Sequence, residues 1–232
     1  MVAVLAVGLV WAAGLVYLRK VWFYRDPPRT PDERSSSAVI SPADGVVLYI
    51  KPVSGGKVVS EKLGQKIAIS ELAKAEDLPA NGWLIGIYMS PFDVHFNYAP
   101  VSAKLSRMFR TQAKVNLPMV DMAEYVRLAI LRRSVDLFGK RYHLVNERNT
   151  MILEPSGGPK IAMIQIADKF VNKITPFVAE GDELEAGQKV GFIERGSQVD
   201  LVIFADTVAP AVSVGQQVYG GKTVLAHLKR SK

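Results

Sequence analysis

The first eighteen residues, MVAVLAVGLVWAAGLVYL, carry no charged side chain. As a helix rising 1.5 Å per residue such a run spans about 27 Å, close to the hydrocarbon thickness of a bilayer. The pattern therefore predicts an N-terminal hydrophobic helix, with residues 1–24 forming a membrane-anchor segment. Arg19, Lys20 and Arg25 follow the apolar run instead of preceding it, the reverse of the order in a cleaved signal peptide, so the segment is expected to be retained. By the positive-inside rule these cations keep the rest of the chain on the cytoplasmic side of the cell membrane, with Trp22, Phe23 and Tyr24 at the interface. A buried core helix, or the second of two spans in a longer chain, is the alternative source of such a run. Residues 25–37 (RDPPRTPDERSSS) are rich in Pro, Ser and charge and read as a linker. From Ala38 onward the chain consists of short alternating or β-branched runs bounded by Gly, Pro, Asn and Asp, among them GVVLYI, WLIGIYM, KIAMIQI and VDLVIF, which predict a mainly β domain over 38–232. Two helical stretches interrupt it. Ser70–Asp77 is a short one opened by a Ser cap. Residues 118–138 form a longer one, with Met119, Met122, Val126, Ala129 and Ile130 at helical spacing and Arg127, Arg132 and Arg133 adding charge. A basic amphipathic helix of this kind either lies on a membrane surface or covers the open end of a β-barrel.

Near the C-terminus a repeat appears: Glu180–Ile193 reads EGDELEAGQKVGFI and Val214–Leu228 reads VGQQVYGGKTVLAHL. Gly181 matches Gly215 and Gly187 matches Gly221, with Leu184 and Val218 as the apolar plugs between them. Glycine permits the reversal at each turn and the apolar residue fills the core, so two half-sheets packed as a pseudo-symmetric sandwich follow. The pattern resembles the biotinyl/lipoyl-like barrel-sandwich folds. A carrier domain of that kind needs a modified lysine between defined neighbours; Asp168-Lys169 is followed by Phe170, which does not supply them.

Composition narrows the chemistry. With 49% hydrophobic and 22% charged residues the chain is an ordinary globular one. It has no cysteine, which excludes disulfides, thiolate catalysis and Cys-based zinc sites, and its three histidines do not supply the His-x-His pair and further ligands of a zinc peptidase. The net charge of +7 favours polyanions or an anionic membrane surface. No basic stripe interleaved with aromatic residues marks the β segments, so nucleic acid is not the expected partner.

Without cysteine, nucleophilic work falls to Ser, Lys, His or Asp, or to a group made in place. Asp44, in SPADG, is either a plain turn acid or a functional carboxylate. In MSPFDVHFNYAP, Asp93 and His95 close the apolar strand WLIGIYM, where a histidine is either structural or a base that titrates near neutral pH. His143 and His227 have no comparable setting in the sequence. Gly196-Ser197 is a routine turn pair, and equally what an N-to-O acyl shift requires, because a residue without Cβ lets the scissile carbonyl be strained.

FYRDPPR (23–29), SPADG (41–45), MSPFDVHFNYAP (89–100), NERNT (146–150) and RGSQVDL (195–201), in this order, together resemble the phosphatidylserine decarboxylase family, in particular its short form. The resemblance spans nearly the whole chain. It implies a proenzyme that cleaves itself between Gly196 and Ser197, giving a large subunit, a small subunit of residues 197–232, and a covalent pyruvoyl group derived from Ser197. The implied chemistry is attack of Ser197 Oγ on the Gly196 carbonyl, removal of the Ser197 Cα proton, β-elimination, and hydrolysis to the ketone. Asp44 and His95 match the family's processing residues and take the roles of orienter and base. Longer members carry a second histidine three places after the first, where this chain has Tyr98, so the division of labour among His95, Tyr98 and Asp93 stays open. The mature enzyme is expected to convert phosphatidylserine to phosphatidylethanolamine and CO2, with His95 returning a proton to the substrate carbon and Arg107, Arg110 or Lys173 holding the lipid phosphate. Expected partners are thus a phospholipid substrate and an anionic membrane surface, and free β edges offer a route to a homodimer. A non-catalytic barrel-sandwich membrane or lipid-binding module is the alternative.

Overall fold

The computed structural model describes residues 2–60, 64–169, 174–194 and 196–228. In chain order the first strands are β1 (Ala38–Ile40), β2 (Gly45–Val53), β3 (Lys57–Ser60), β4 (Gln65–Ala68), β5 (Gly82–Met89), β6 (Phe96–Tyr98), β7 (Ala103–Thr111) and β8 (Arg148–Glu154). They are followed by β9 (Ile161–Ala167), β10 (Ile174–Pro176), β11 (Glu183–Leu184), β12 (Lys189–Ile193), β13 (Ser197–Ile203), β14 (Val208–Pro210), β15 (Gln217–Val218) and β16 (Val224–Leu228). The protein is mainly β, as its alternating runs predict, and its largest sheet curls into a half-barrel.

That sheet has the order β11-β7-β8-β9-β13-β5-β2-β15, and two three-stranded sheets, β10-β12-β6 and β14-β16-β1, complete the interior; β3 and β4 form a separate hairpin. Read outward from the β9/β13 junction, the two halves match strand for strand. β11 and β15 are the outermost strands, while β12 and β16 are each central to a small sheet. These are the two sequence repeats. The glycines that open them, Gly181 and Gly215, have φ of 97° and 90°, and the plugs Leu184 and Val218 enter one and the same core. Strand alternation separates two cores. Val199, Leu201 and Ile203 of β13 face the barrel interior with Val47, Ile85 and Met163, whereas Val202 and Phe204 face an outer core with Tyr49, Leu128 and Tyr142.

The helical expectations need correction. Ser70 is not a cap: the short helix, α2, is Ile69–Ala73, its N-cap is Ala68, and it stops at Lys74 in the left-handed region. Nor is 118–138 one helix. Asp121 and Glu124 form a capping box that starts α3 (Met122–Tyr125), a π-helical turn covers Val126–Ile130, and Arg132 with φ of 51° ends it. An internal capping box and an early left-handed stop override the long apolar periodicity. Met119, Leu128 and Ala129 are buried, but Met122 and Ile130 are exposed. A last helix, α4, is Tyr142–Val145.

At the N-terminus α1 (Val2–Tyr17) continues into a π-helical turn over Leu18–Trp22 with exposed apolar side chains. Among the described residues no helix is long and apolar enough to cross a membrane. Residues 25–37 have little regular structure yet lie against the domain, through Asp32 N–H to the Lys222 carbonyl (2.9 Å) and through Glu33 to His227 (2.9 Å).

Candidate active site

Ser197 opens β13 at the centre of the large sheet, paired with Met89 of β5 on one side and Ala167 of β9 on the other. It is fully buried. Its hydroxyl donates to Met89 Sδ at 3.3 Å, a weak acceptor that holds it loosely. Gly196, immediately before it, has φ of 32°, and a Cβ there would stand 3.2 Å from Asp168 Oδ2. The other oxygen of Asp168 accepts from the backbone N–H groups of Met119 (2.9 Å) and Lys169 (2.7 Å), and burial raises its pKa. A carboxylate against the Gly196 Cα was not foreseen in the sequence, where Asp168 stood out only beside a candidate carrier lysine.

His95 follows the turn that leaves β5 and is completely buried. Phe23 lies over the imidazole with ring centroids 4.0 Å apart, and Phe192 flanks it at 6.4 Å. Phe23, expected at a membrane interface, is thus part of the site. Among the described residues neither ring nitrogen has an aligned hydrogen-bond partner, although the Asp93 backbone carbonyl is near enough to favour the imidazolium. Burial outweighs that and the Asp93 charge, lowering the pKa to about 4, so the ring is neutral at physiological pH. Asp93 itself is saturated. It accepts from the Ser90 N–H (2.8 Å) and hydroxyl (2.6 Å), from Arg132 at 3.2 Å and from Gln217 at 3.2 Å.

Asp44 is buried and bonded to Arg29 Nη2 (2.8 Å) and the Gly220 N–H (2.7 Å). Burial raises its pKa, and the Arg29 charge partly offsets this. A Cβ on Gly220 or Gly221 would come within 2.8 Å of the Tyr98 ring, so these glycines let that ring lie against the backbone beside Asp44. Burial pushes the Tyr98 hydroxyl up to about 12. Among the described residues no hydrogen bond joins Asp44, His95 and Ser197 into a chain; the carboxylate acting most strongly on His95 is Asp93.

Of the cations expected to hold phosphate, Arg107 lies over the Phe109 ring at 4.7 Å and Arg110 pairs with Glu147 at 3.0 Å, both on β7, while Lys173 falls outside the described residues. The cations beside Asp44 and Asp93 are instead Arg29 and Arg132. Arg25 packs on Trp22 at 4.2 Å and donates to the Phe92 carbonyl.

On the outer face of β13 the structure reveals a polar cluster for which the sequence reading had no role. Tyr49 donates to Asp200 Oδ1 (2.7 Å), Tyr142 donates to Gln198 Oε1 (2.7 Å), and Gln198 Nε2 reaches Asp200 Oδ1 (2.6 Å). His143 lies in the same cluster, stacked on Tyr142 with centroids 4.2 Å apart. The guanidinium of Arg148, fully buried, is taken up by the carbonyls of Leu72, His143 and Asn146. The available signal was Gln198 and Asp200 alternating inside the otherwise apolar run of β13.

The sequence profile described as phosphatidylserine decarboxylase matches residues 17–226. Similar curated proteins include the phosphatidylserine decarboxylase proenzymes of Erythrobacter litoralis, 32% identical over 97% of this chain and 79% of that one, and of Symbiobacterium thermophilum, 31% identical over 97% and 88%. That of Paramagnetospirillum magneticum is 33% identical over 95% of this chain and 76% of its own length.

Proposed function

Given that the chain belongs to the phosphatidylserine decarboxylase family, we propose that it is a proenzyme that cleaves itself between Gly196 and Ser197 and then decarboxylates phosphatidylserine to phosphatidylethanolamine and CO2. The observation that carries this reading is the bond itself: a left-handed glycine precedes a fully buried serine whose hydroxyl, among the described residues, is held by a thioether. Such a hydroxyl loses little on leaving its ground-state contact, and a residue without Cβ lets the Gly196 backbone take the conformation that attack on its carbonyl requires. His95, neutral and, among the described residues, without an aligned partner, is the base, with Asp93 and Arg25 as the charges that act on it and Asp44 as the orienting carboxylate.

The residues present suit a pyruvoyl group made from Ser197: among the described residues the buried His95 nitrogens have no aligned partner and are free to hold or return a proton. Such a group supplies a ketone to hold the substrate amine and a sink for the electron pair released with CO2. The protein's part is to orient and to exclude water. Phe23 and Phe192 keep the His95 side dry, and His95, once protonated, returns a proton to the substrate carbon. Arg25 and Arg132 are the cations that meet the lipid phosphodiester.

The apolar segment 1–24 anchors the domain at the membrane with its catalytic part on the cytoplasmic side, and the net charge of +7 favours the anionic surface. The strand-for-strand match of the two halves supports a barrel-sandwich. The test is a denaturing gel: wild type gives a large fragment and one of about 4 kDa, at roughly 110 Da per residue for residues 197–232. Ser197→Ala gives one band, and His95→Ala and Asp44→Ala block maturation. A wild-type chain that stays whole contradicts the reading.

A further inference from the structure

Three amides inside the barrel are hydrogen-bonded in one direction. Asn149 Nδ2 of β8 donates to Gln165 Oε1 of β9 (2.8 Å), and Gln165 Nε2 donates to Asn97 Oδ1 of β6 (2.7 Å). All three side chains are buried. Because Asn149 occupies the Gln165 oxygen, the Gln165 amino group must face Asn97, and because that group occupies the Asn97 oxygen, the Asn97 amino group must face away from it. Its contacts are long: the Pro42 carbonyl at 3.5 Å, which already accepts from the Tyr98 N–H at 2.9 Å, and the weak acceptor Met89 Sδ at 3.7 Å. That sulfur is the one the Ser197 hydroxyl touches at 3.3 Å. Gly191 leaves space for the relay, since a Cβ there would stand 3.1 Å from Gln165 Nε2. Burying an amino group with long contacts is costly, and here it shares the Met89 sulfur as a neighbour with the reacting serine.

We infer that Asn97 donates a hydrogen bond to the oxyanion formed on the Gly196 carbonyl during self-cleavage, and that Gln165 and Asn149 are positioning residues that fix its orientation. The inference rests on the self-cleavage reading above. Ser197 Oγ passes its proton to the base and bonds to the Gly196 carbon, whose oxygen becomes negative. Collapse expels the Ser197 nitrogen, which takes up a proton, so an amide is exchanged for an ester with no atom gained or lost. Asn97 stabilises the charged oxygen, and the unbranched Met89 side chain yields its place.

The test follows fragment appearance in purified precursor, with thermal melting as the check on folding. Asn97→Leu removes the donor at similar volume and slows cleavage about a hundredfold. The uncleaved chain stays resistant to hydroxylamine, because the amide has not been exchanged. Gln165→Glu keeps the volume but, when ionised, cannot donate to Asn97, which turns its carbonyl toward Ser197. Its cleavage rate relative to wild type therefore falls at neutral pH and recovers as the carboxyl protonates. Asn97→Leu cleaving within threefold of wild type, or accumulating a hydroxylamine-labile chain, overturns the inference. Should Asn97→Leu fail to fold, a Gln165→Glu to wild-type ratio that does not change with pH overturns it. If wild type itself does not cleave, it is the self-cleavage reading that fails.

Discussion

His95 is neutral because it is buried under Phe23, and this sets the pH at which it can act as a base. With its pKa lowered to about 4, the single-turnover cleavage rate should be flat from about pH 8 to 5 and fall only below that. Phe23→Ala lets water reach the ring, so the acid limb should move up toward the ordinary histidine value of about 6.5. A wild-type limb already at 6.5 would contradict the assignment of burial as the cause. Gly196→Ala meets two obstacles, a left-handed φ and Asp168 at 3.2 Å. It should destabilise the precursor by about 1 kcal/mol in urea melts and slow cleavage. Unchanged values for both would show that φ at this residue carries no strain.

At the scale of elements, β13 joins two chemistries: its inner face carries Ser197, its outer face the Gln198 and Asp200 cluster. Burial raises the Asp200 pKa to about 6 against a usual value of 3.8. A carboxyl raised in the folded state binds its proton more tightly there than in the unfolded chain, so stability falls as pH rises through the interval between the two values. Between pH 5 and 8 the Asp200 contribution amounts to about 1.4 kcal/mol; the lowered pKa values of His95 and His143 act in the opposite sense in both proteins, so the stability change of wild type over this interval in urea melts should lie about 1.4 kcal/mol below that of Asp200→Asn. Equal changes in the two proteins would remove Asp200 as a contributor. The same strand shows what sequence reading reaches. Alternation made β13 visible as a strand and the glycine repeat made β11, β12, β15 and β16 visible as matched pairs, since both signals are local. The cluster is not local: Tyr49 and Asp200 are 151 positions apart and meet only through the β2-β5-β13 order. Segment 118–138 misled for a related reason. Its apolar spacing is helical, but tertiary packing buries Leu128 and leaves Ile130 exposed. Phe23 likewise looked interfacial because nothing in its neighbourhood of sequence announces His95.

For the whole molecule, the bond proposed for cleavage lies before a strand hydrogen-bonded on both sides, and β14, β15 and β16 downstream of it also pair with other strands. β13, β15 and β16 contact strands that lie upstream of the cut. Cleavage should therefore leave the fold intact: the two fragments should co-elute in gel filtration without denaturant and part only when unfolded. Separation in native buffer would contradict the topology as the holding force. Removal of residues 1–20 should release the protein from sedimenting membranes, and full retention after salt and alkaline washing would refute the anchor. The central claim is that Ser197 becomes a ketone at the head of a new fragment, and intact-mass spectrometry of that fragment tests it most directly. The account predicts a species beginning at position 197 with the mass of a pyruvoyl group in place of serine, reactive toward a carbonyl reagent. A fragment beginning with unmodified serine, or a break at another bond, would contradict it.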